Sequence, residues 1–153
     1  MLCTTLFFLF ISITGGTTSG KDTRVRTCQL LHREAVRQDV DPAVAVSVAW
    51  LESRWVSRAH NRKSGARGPL QILPKYWCPD ARGRWRATGS HTATCDFTRW
   101  GVHALRYYLN KHEDERRAFA EFGYTSTRSN YVKLATELTR RARAEVAKNQ
   151  STP

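Results

Sequence analysis

One carboxylic acid, Glu52, lies between Trp50 and Trp55 in an otherwise apolar run. Helical spacing places Glu52 on the same face as Ala45 and Val48, whereas an ordinary surface glutamate lies on the polar side of its helix. Apolar and aromatic neighbours disfavour the charged carboxylate and raise its pKa, to about 6 in known cases. A carboxyl that stays protonated near neutral pH can deliver a proton to a leaving oxygen. We therefore predict that Glu52 is a general acid.

A glycine-spaced turn with a glutamine follows this helix. The two motifs read Glu52-Ser53 and then Gly65-Ala66-Arg67-Gly68-Pro69-Leu70-Gln71. Together they resemble the lysozyme-like lytic transglycosylases (the soluble lytic transglycosylase domain family, related to goose-type lysozyme), whose pattern is Glu-Ser followed by Gly-Ala-x-Gly-x-x-Gln. The resemblance covers roughly Cys28 to Arg141. It implies a mainly α, single-lobe lysozyme-like domain with a glycan-binding groove.

The resemblance also implies a reaction, the cleavage of the MurNAc-GlcNAc β-1,4 bond of peptidoglycan. In this family one glutamate acts as acid and then as base, and the 6-hydroxyl of the muramic acid closes on the anomeric carbon to give a 1,6-anhydro end. Goose-type lysozymes use water and an added carboxylate instead, so hydrolysis is the alternative outcome. Asp80 and Asp96 are the nearby carboxylates, but their residue types and positions favour a turn and an N-cap.

Substrate-binding roles are implied for five further residues. Gln71 matches the glutamine that faces the glycan in relatives. Tyr131 matches a late Thr-Arg-x-x-Tyr-Val segment in which the tyrosine hydroxyl approaches the catalytic glutamate, with core packing as the alternative. Ser53 either orients Glu52, touches substrate or serves as a helix C-cap hydroxyl. Gly68 and Tyr124 complete the predicted set.

Composition narrows the class of protein but does not fix it. The 153 residues suffice for one domain, and 25 Lys and Arg against 13 Asp and Glu give a net charge of +12. The positive electrostatic field of such a charge favours polyanionic partners, among them an anionic cell wall. A noncatalytic cationic protein that binds glycan or nucleic acid is therefore a second hypothesis, although no helix-turn-helix or zinc pattern supports specific nucleic-acid binding. We expect a monomer without cofactor or metal.

The first twenty residues contain no charged side chain. Residues 6–13 are apolar but too few to span a bilayer, and small residues follow. We predict a secretory signal over 1–20, with a retained signal anchor as the alternative, then a domain over 21–148 and a frayed tail over 149–153. The mature protein is expected in the periplasm or cell wall.

The cysteines are expected to be bridged in an exported protein. With Cys3 in the leader, Cys28, Cys78 and Cys95 remain. A Cys78–Cys95 bridge would close a loop that has little apolar content of its own. Relatives that pair an early cysteine with a later one make Cys28–Cys95 the competing arrangement. Either pairing leaves one thiol over.

Hydrophobic periodicity and capping residues predict the elements that position these residues. Asp41 and Pro42 predict the start of the helix that carries Glu52, which should run to about Trp55. Further helices are predicted over 23–39 and 113–122, from Asp96 to about 111, and from Ser126 or Thr127 onward, with a short helix or turn over 69–77 and a turn or hairpin within 79–94. In the helix after Asp96, the expected inward side chains are Trp100, His103, Ala104, Tyr107 and Tyr108.

Overall fold

The computed structural model describes residues 1–78 and 95–150, and this part of the chain is mainly helical and contains no β-strand. The helical class predicted from the sequence is thereby confirmed. The turn or hairpin predicted within 79–94, including Asp80, and the last three residues of the predicted tail lie outside the described residues. The helices are α1 (Leu2–Thr14), α2 (Lys21–Arg37), α3 (Pro42–Ser53), α4 (Pro74–Trp77), α5 (Phe97–Lys111), α6 (Glu115–Phe122) and α7 (Asn130–Gln150).

The central helix is α3, which packs against α2 and α7. It begins as predicted, because the Asp41 carboxylate accepts a hydrogen bond from the Ala43 backbone N–H at 2.8 Å and Pro42 occupies the first helical position. Residues 43–50 are all buried, so α3 has no solvated face over two turns. The helix ends at Ser53, two residues earlier than predicted. Arg54 and Trp55 both adopt left-handed backbone conformations, which turn the chain away from the helix axis.

The remaining helices lie near their predicted positions but differ in detail. In α5, Asp96 caps the helix by accepting from the Arg99 N–H at 3.0 Å, as predicted, and Ala104 is buried. The prediction that His103 and Tyr107 point inward is wrong, because both are exposed and the buried stripe instead contains Gly101, Val102 and Leu105. The last helix, α7, begins at Asn130, three or four residues later than predicted.

Arg143 of α7 joins the starts of two other helices. Its guanidinium donates to the Asp41 carboxylate at 2.7 Å and to the Glu115 carboxylate at 2.6 Å. Asp41 caps α3, and Glu115 is the first residue of α6. This three-way contact connects α3, α6 and α7, the helices that carry or adjoin Glu52 and Tyr131.

The apolar N-terminal segment forms α1 and belongs to the hydrophobic core. Phe7 and Phe10 are fully buried against Trp50 and Trp55, with ring centroids 5.6 to 6.4 Å apart. The Thr14 hydroxyl accepts from Trp50 Nε1 at 3.0 Å. Removal of this segment as a leader stays a prediction. No helix within residues 1–78 and 95–150 is both long and apolar enough to cross a membrane.

Two disulfides join the four cysteines, all of which lie in the described part of the chain. They are Cys3–Cys28, between α1 and α2, and Cys78–Cys95. The alternative Cys28–Cys95 pairing and the leftover thiol are therefore wrong, because the packing of α1 on α2 brings Cys3 to Cys28. Bridged cysteines indicate an oxidising, extracellular-type environment.

Candidate functional site

Glu52 occupies the last turn of α3 and is the only acidic residue among the described residues that line a pocket of about 80 Å³. Its side chain is partly buried. The pocket wall combines residues 71–73, of which only Gln71 is polar, with aromatic rings from α4, α5 and the end of α6. The other lining residues are Gln71, Ile72, Leu73, Trp77, Tyr108, Phe122, Gly123 and Tyr124.

Tyr131, in the first turn of α7, contacts Glu52 directly. Its hydroxyl donates a hydrogen bond of 2.6 Å to Glu52 Oε1. Burial of the carboxyl raises the pKa of Glu52 to about 7, and the hydrogen bond from Tyr131 opposes part of this effect because it favours the charged form. Burial and the neighbouring Glu52 raise the pKa of Tyr131, so that it remains a neutral donor. Glu52 is therefore poised to hold or release a proton near neutral pH.

Gly123 makes room for the Tyr131 ring. A Cβ atom placed on Gly123 would lie only 2.5 Å from Tyr131 Cε1 and 2.9 Å from its Cζ. The backbone of Gly123 has a negative φ of −83°, so this position needs glycine for space and not for conformation. The glycine that ends α6 thus allows the α7 tyrosine to reach the α3 carboxyl.

Gln71 is placed in the pocket wall by the glycine-spaced turn. Its backbone is left-handed (φ 48°), and its side-chain amide donates to the carbonyls of Gly68 at 2.9 Å and Ala59 at 3.2 Å. Gly68 does not line the pocket. Its φ of 79° and its close approach to Phe97, whose Cβ would lie 2.4 Å from an added Cβ, give it a structural role behind the wall.

Ser53 is not among the pocket-lining residues. Its hydroxyl lies within hydrogen-bond distance of two carbonyl oxygens, Pro69 O at 2.8 Å and Ala49 O at 3.2 Å. The first contact joins the end of α3 to the turn that carries Gln71. Of the three roles considered for Ser53, the helix-terminal hydroxyl matches this geometry, and direct contact with a ligand in this pocket does not.

The two tryptophans that flank Glu52 in sequence do not line the pocket either. Trp50 and Trp55 are fully buried, with ring centroids 4.9 Å apart, and Trp55 Nε1 donates to the Val46 carbonyl at 2.7 Å. The expectation that they surround the carboxyl is thus wrong. Two residues along a helix correspond to a rotation of about 200°, so Trp50 faces away from Glu52.

The aromatic wall of the pocket comes from other parts of the sequence. Trp77 packs edge-on or tilted against Tyr107 and Tyr108 of α5, at centroid distances of 5.7 and 6.0 Å. Burial, and to a lesser extent contact with Tyr124, raises the pKa of Tyr108 to about 12. Tyr124, a predicted ligand-binding residue, lines the pocket but is 76% exposed. Sequence analysis missed Tyr108 as a site residue, although its position on the inward face of α5 was the available signal.

No protein-family model matches this chain, and neither a curated protein nor a solved structure shows significant similarity to it. Within residues 1–78 and 95–150 no group of three or more His, Cys, Asp and Glu side chains could hold a metal ion.

Proposed function

We propose that this chain is a lysozyme-like lytic transglycosylase that cleaves the MurNAc-GlcNAc β-1,4 bond of peptidoglycan, with Glu52 as its catalytic acid and base. The observation that carries the proposal is the position of the Glu52 carboxyl, which is partly buried in a pocket and hydrogen-bonded to Tyr131. Its pKa of about 7 leaves a large fraction of the carboxyl neutral at physiological pH, inside a pocket and next to a hydroxyl donor. A general acid for glycoside cleavage needs these properties.

The proposed reaction uses one carboxyl group twice. The Glu52 proton passes to the glycosidic oxygen while the bond from that oxygen to the anomeric carbon breaks, leaving positive charge on the muramic acid ring. The Glu52 carboxylate then takes the proton of the same sugar's 6-hydroxyl as that oxygen bonds to the anomeric carbon. The products are a new GlcNAc 4-hydroxyl and a 1,6-anhydromuramoyl end, and Glu52 is protonated again.

The single acid in the described pocket wall favours this route over hydrolysis. Hydrolytic glycosidases normally use two carboxylates, one to donate the proton and one to act as nucleophile or activate water. Asp96, one of the two candidates for a second carboxylate, is instead occupied as the N-cap of α5, and Asp80 lies outside the described residues. An intramolecular 6-hydroxyl supplies the nucleophile without a second protein carboxylate.

We propose that the helical domain is a single lysozyme-like lobe and that the pocket is the deepest part of a glycan-binding groove. Gln71 offers a polar amide, and the rings of Trp77 and Phe122 provide apolar surfaces on which a sugar can pack. Tyr131 holds Glu52 in position, and the +12 charge attracts the enzyme to an anionic cell wall after export.

The test is digestion of purified peptidoglycan sacculi followed by mass spectrometry of the released fragments. We expect 1,6-anhydromuropeptides, each lighter by one water than the corresponding reducing-end product. These products should disappear with Glu52→Gln and persist with Glu113→Gln, a matched carboxamide substitution on an exposed residue. Reducing-end products alone would assign the chain to the hydrolases, and no cleavage at all would leave a binding protein.

A further inference from the structure

We propose that the outer face of α5 is a second, noncatalytic surface that binds the carboxylate-bearing glycan strand where it continues beyond the pocket. This α5 face consists of Arg99, Trp100, His103, Arg106 and Tyr107. The inference rests on the proposed function, because the partner is the same strand that enters the pocket. It adds a location, a mode of contact and the part of the strand that is recognised.

The α5 face places aromatic side chains where a soluble helix normally carries polar ones. Its residues follow the three- and four-residue spacing of one helical surface. His103 is exposed, Tyr107 is 52% exposed and Trp100 is partly exposed, although the sequence favoured inward positions for all three. Exposed aromatic groups gathered on one face are typical of binding surfaces.

The aromatic groups form a continuous row that leads out of the pocket. Trp77, which lines the pocket, packs against Tyr107 at 5.7 Å and against His103 at 6.3 Å between ring centroids. His103 in turn packs edge-on against Trp100 at 5.3 Å. A sugar chain that rests on Trp77 therefore meets a further series of rings along α5.

Two open grooves flank this row and meet at His103. One, of about 390 Å³, is lined by His103, Arg106 and Tyr107 together with Asn110 and Lys111 of the same helix. The other, of about 310 Å³, lies between α5 and the end of α2. Its α5 side consists of Arg99, Trp100 and His103, and its α2 side consists of Glu34, Arg37 and Gln38, with Glu34 bonded to Arg37. Each groove falls within the range of volumes that small ligands occupy, which suits individual sugar or peptide units.

The charge of the α5 face complements a carboxylate-bearing strand. Among the ion pairs formed between described residues, Arg37 is bonded to Glu34 and Lys111 to Glu121, whereas none involves Arg99 or Arg106. A guanidinium binds a carboxylate through two parallel hydrogen bonds, and the stem peptides of peptidoglycan supply carboxylates at regular intervals. Arg99 also lies over the Trp100 ring, 5.5 Å from its centroid, which combines charge and stacking at one position.

Continuity with the pocket favours a glycan over a phosphate polymer. A polyphosphate would satisfy the two arginines but has no group that stacks on the rings. A single-stranded nucleic acid could stack its bases there, but it gives no reason for the ring series to begin at Trp77 in the pocket wall. A glycan strand accounts for the rings and the charges together.

The experiment measures binding to intact sacculi in the Glu52→Gln background, so that cleavage does not interfere. We expect the double variant Arg99→Gln/Arg106→Gln to weaken binding about tenfold, as two exposed charge contacts would. Tyr107→Ala should weaken binding as well, and amidation of the sacculus carboxyl groups should abolish the effect of the arginines. When the two arginine substitutions are made in the chain that retains Glu52, turnover of sacculi should fall relative to turnover of a tetrasaccharide by a similar factor.

The matched control removes two charges elsewhere. Arg62→Gln/Lys63→Gln changes two exposed residues of the turn before Gly65 and should leave binding within about twofold of the parent. An equal loss in this control would overturn the proposal, since net charge alone would then explain binding. The proposal would also fail if single-stranded DNA bound as tightly as sacculi through the same arginines, or if amidation made no difference. Because binding is measured without cleavage, absence of turnover would overturn only the proposed function.

Discussion

The hydroxyl of Tyr131 lies 2.6 Å from Glu52 Oε1 and links two residues that are 79 positions apart in sequence. This contact joins the first turn of α7 to the last turn of α3. It acts on the pKa of Glu52 in the direction opposite to burial, because a donor stabilises the charged carboxylate. The acidity of Glu52 thus depends on the relative position of two helices.

Activity on peptidoglycan should fall as pH rises through about 7. The first step requires the protonated form of Glu52, whose pKa is raised to about 7 by burial, so the reactive fraction decreases above that pH. Initial rates of anhydromuropeptide release, measured from pH 5 to 9, should show this decrease as a falling limb of the pH-rate profile. A rate that climbs steadily to pH 9 would mean that Glu52 is not the acid.

Glu52→Gln should reduce turnover by roughly 10³-fold, since an amide cannot donate the proton that a general acid supplies. The substitution preserves the size and shape of the side chain and leaves an acceptor for the Tyr131 hydroxyl. Circular dichroism and thermal unfolding should therefore show an intact fold. Residual activity above one-tenth of the parent would contradict the assignment.

The same variant should make the folded protein more stable at high pH. The folded-state pKa of Glu52, about 7, lies above its ordinary value of 4.5, so ionisation destabilises the fold between these two pH values and the full penalty is present above pH 7. At pH 8, Glu52→Gln should gain up to about 3 kcal/mol in free energy of unfolding, and at pH 4 little of this gain should remain. Urea unfolding at the two pH values measures the difference.

Tyr131→Phe should shift the falling limb of the pH-rate profile to higher pH. The lost hydrogen bond normally lowers the pKa of Glu52, so its removal leaves the effect of burial unopposed. The maximal rate should drop by roughly tenfold, as expected when one hydrogen bond that positions a side chain is removed. Tyr76→Phe, which removes a half-exposed hydroxyl outside both the pocket and the α5 face, is the control and should leave the falling limb in place. If the falling limb stays in place or moves to lower pH, the Tyr131 hydrogen bond does not lower the pKa of Glu52.

Gly123→Ala should reproduce part of the Tyr131→Phe effect without altering the tyrosine. The added methyl group would lie 2.5 Å from the Tyr131 ring, so the ring must shift and lengthen its contact with Glu52. We expect a loss of about 2 kcal/mol in stability and an upward shift of the pH-rate limb. If stability falls while the limb stays in place, the ring has adapted without moving its hydroxyl.

Peptide mapping without reduction decides between two descriptions of the N-terminal segment. The sequence predicts removal of residues 1–20, whereas the packing of α1 and the Cys3–Cys28 bridge predict a peptide linked through those two cysteines in the folded protein. We expect the linked peptide, and we expect Cys3→Ser to cost about 3 kcal/mol under oxidising conditions. A chain that starts after residue 20 and carries an alkylatable Cys28 would instead show that residues 1–20 are removed as a leader.

Much of the fold follows from local signals. Asp41-Pro42 and Asp96 mark helix starts through capping that involves only neighbouring residues, and both starts are confirmed. The end of α3 was less predictable, because Arg54 and Trp55 adopt left-handed conformations without a glycine. Their conformation depends on tertiary packing, which brings Trp55 back against Val46.

In the candidate site, too, some features follow from the local sequence and others depend on tertiary packing. A short sequence pattern sufficed to select Glu52, Gln71 and Tyr131, which lie together in the structure. The pattern could not show that Trp50 turns away from Glu52, because its ring packs in a cluster formed with α1. An apolar N-terminal segment has the same composition whether it directs export or fills a core, and composition alone does not separate these roles.

The Cys78–Cys95 bridge has a consequence for where the protein can work. Cys78 directly follows Trp77, the ring at which the pocket and the α5 face meet, and α4 is a single helical turn of four residues. In a compartment that keeps thiols reduced, this wall would lose its covalent anchor. Reduction would thus loosen this side of the pocket, and the complete pocket would form only after the Cys78–Cys95 bridge is oxidised.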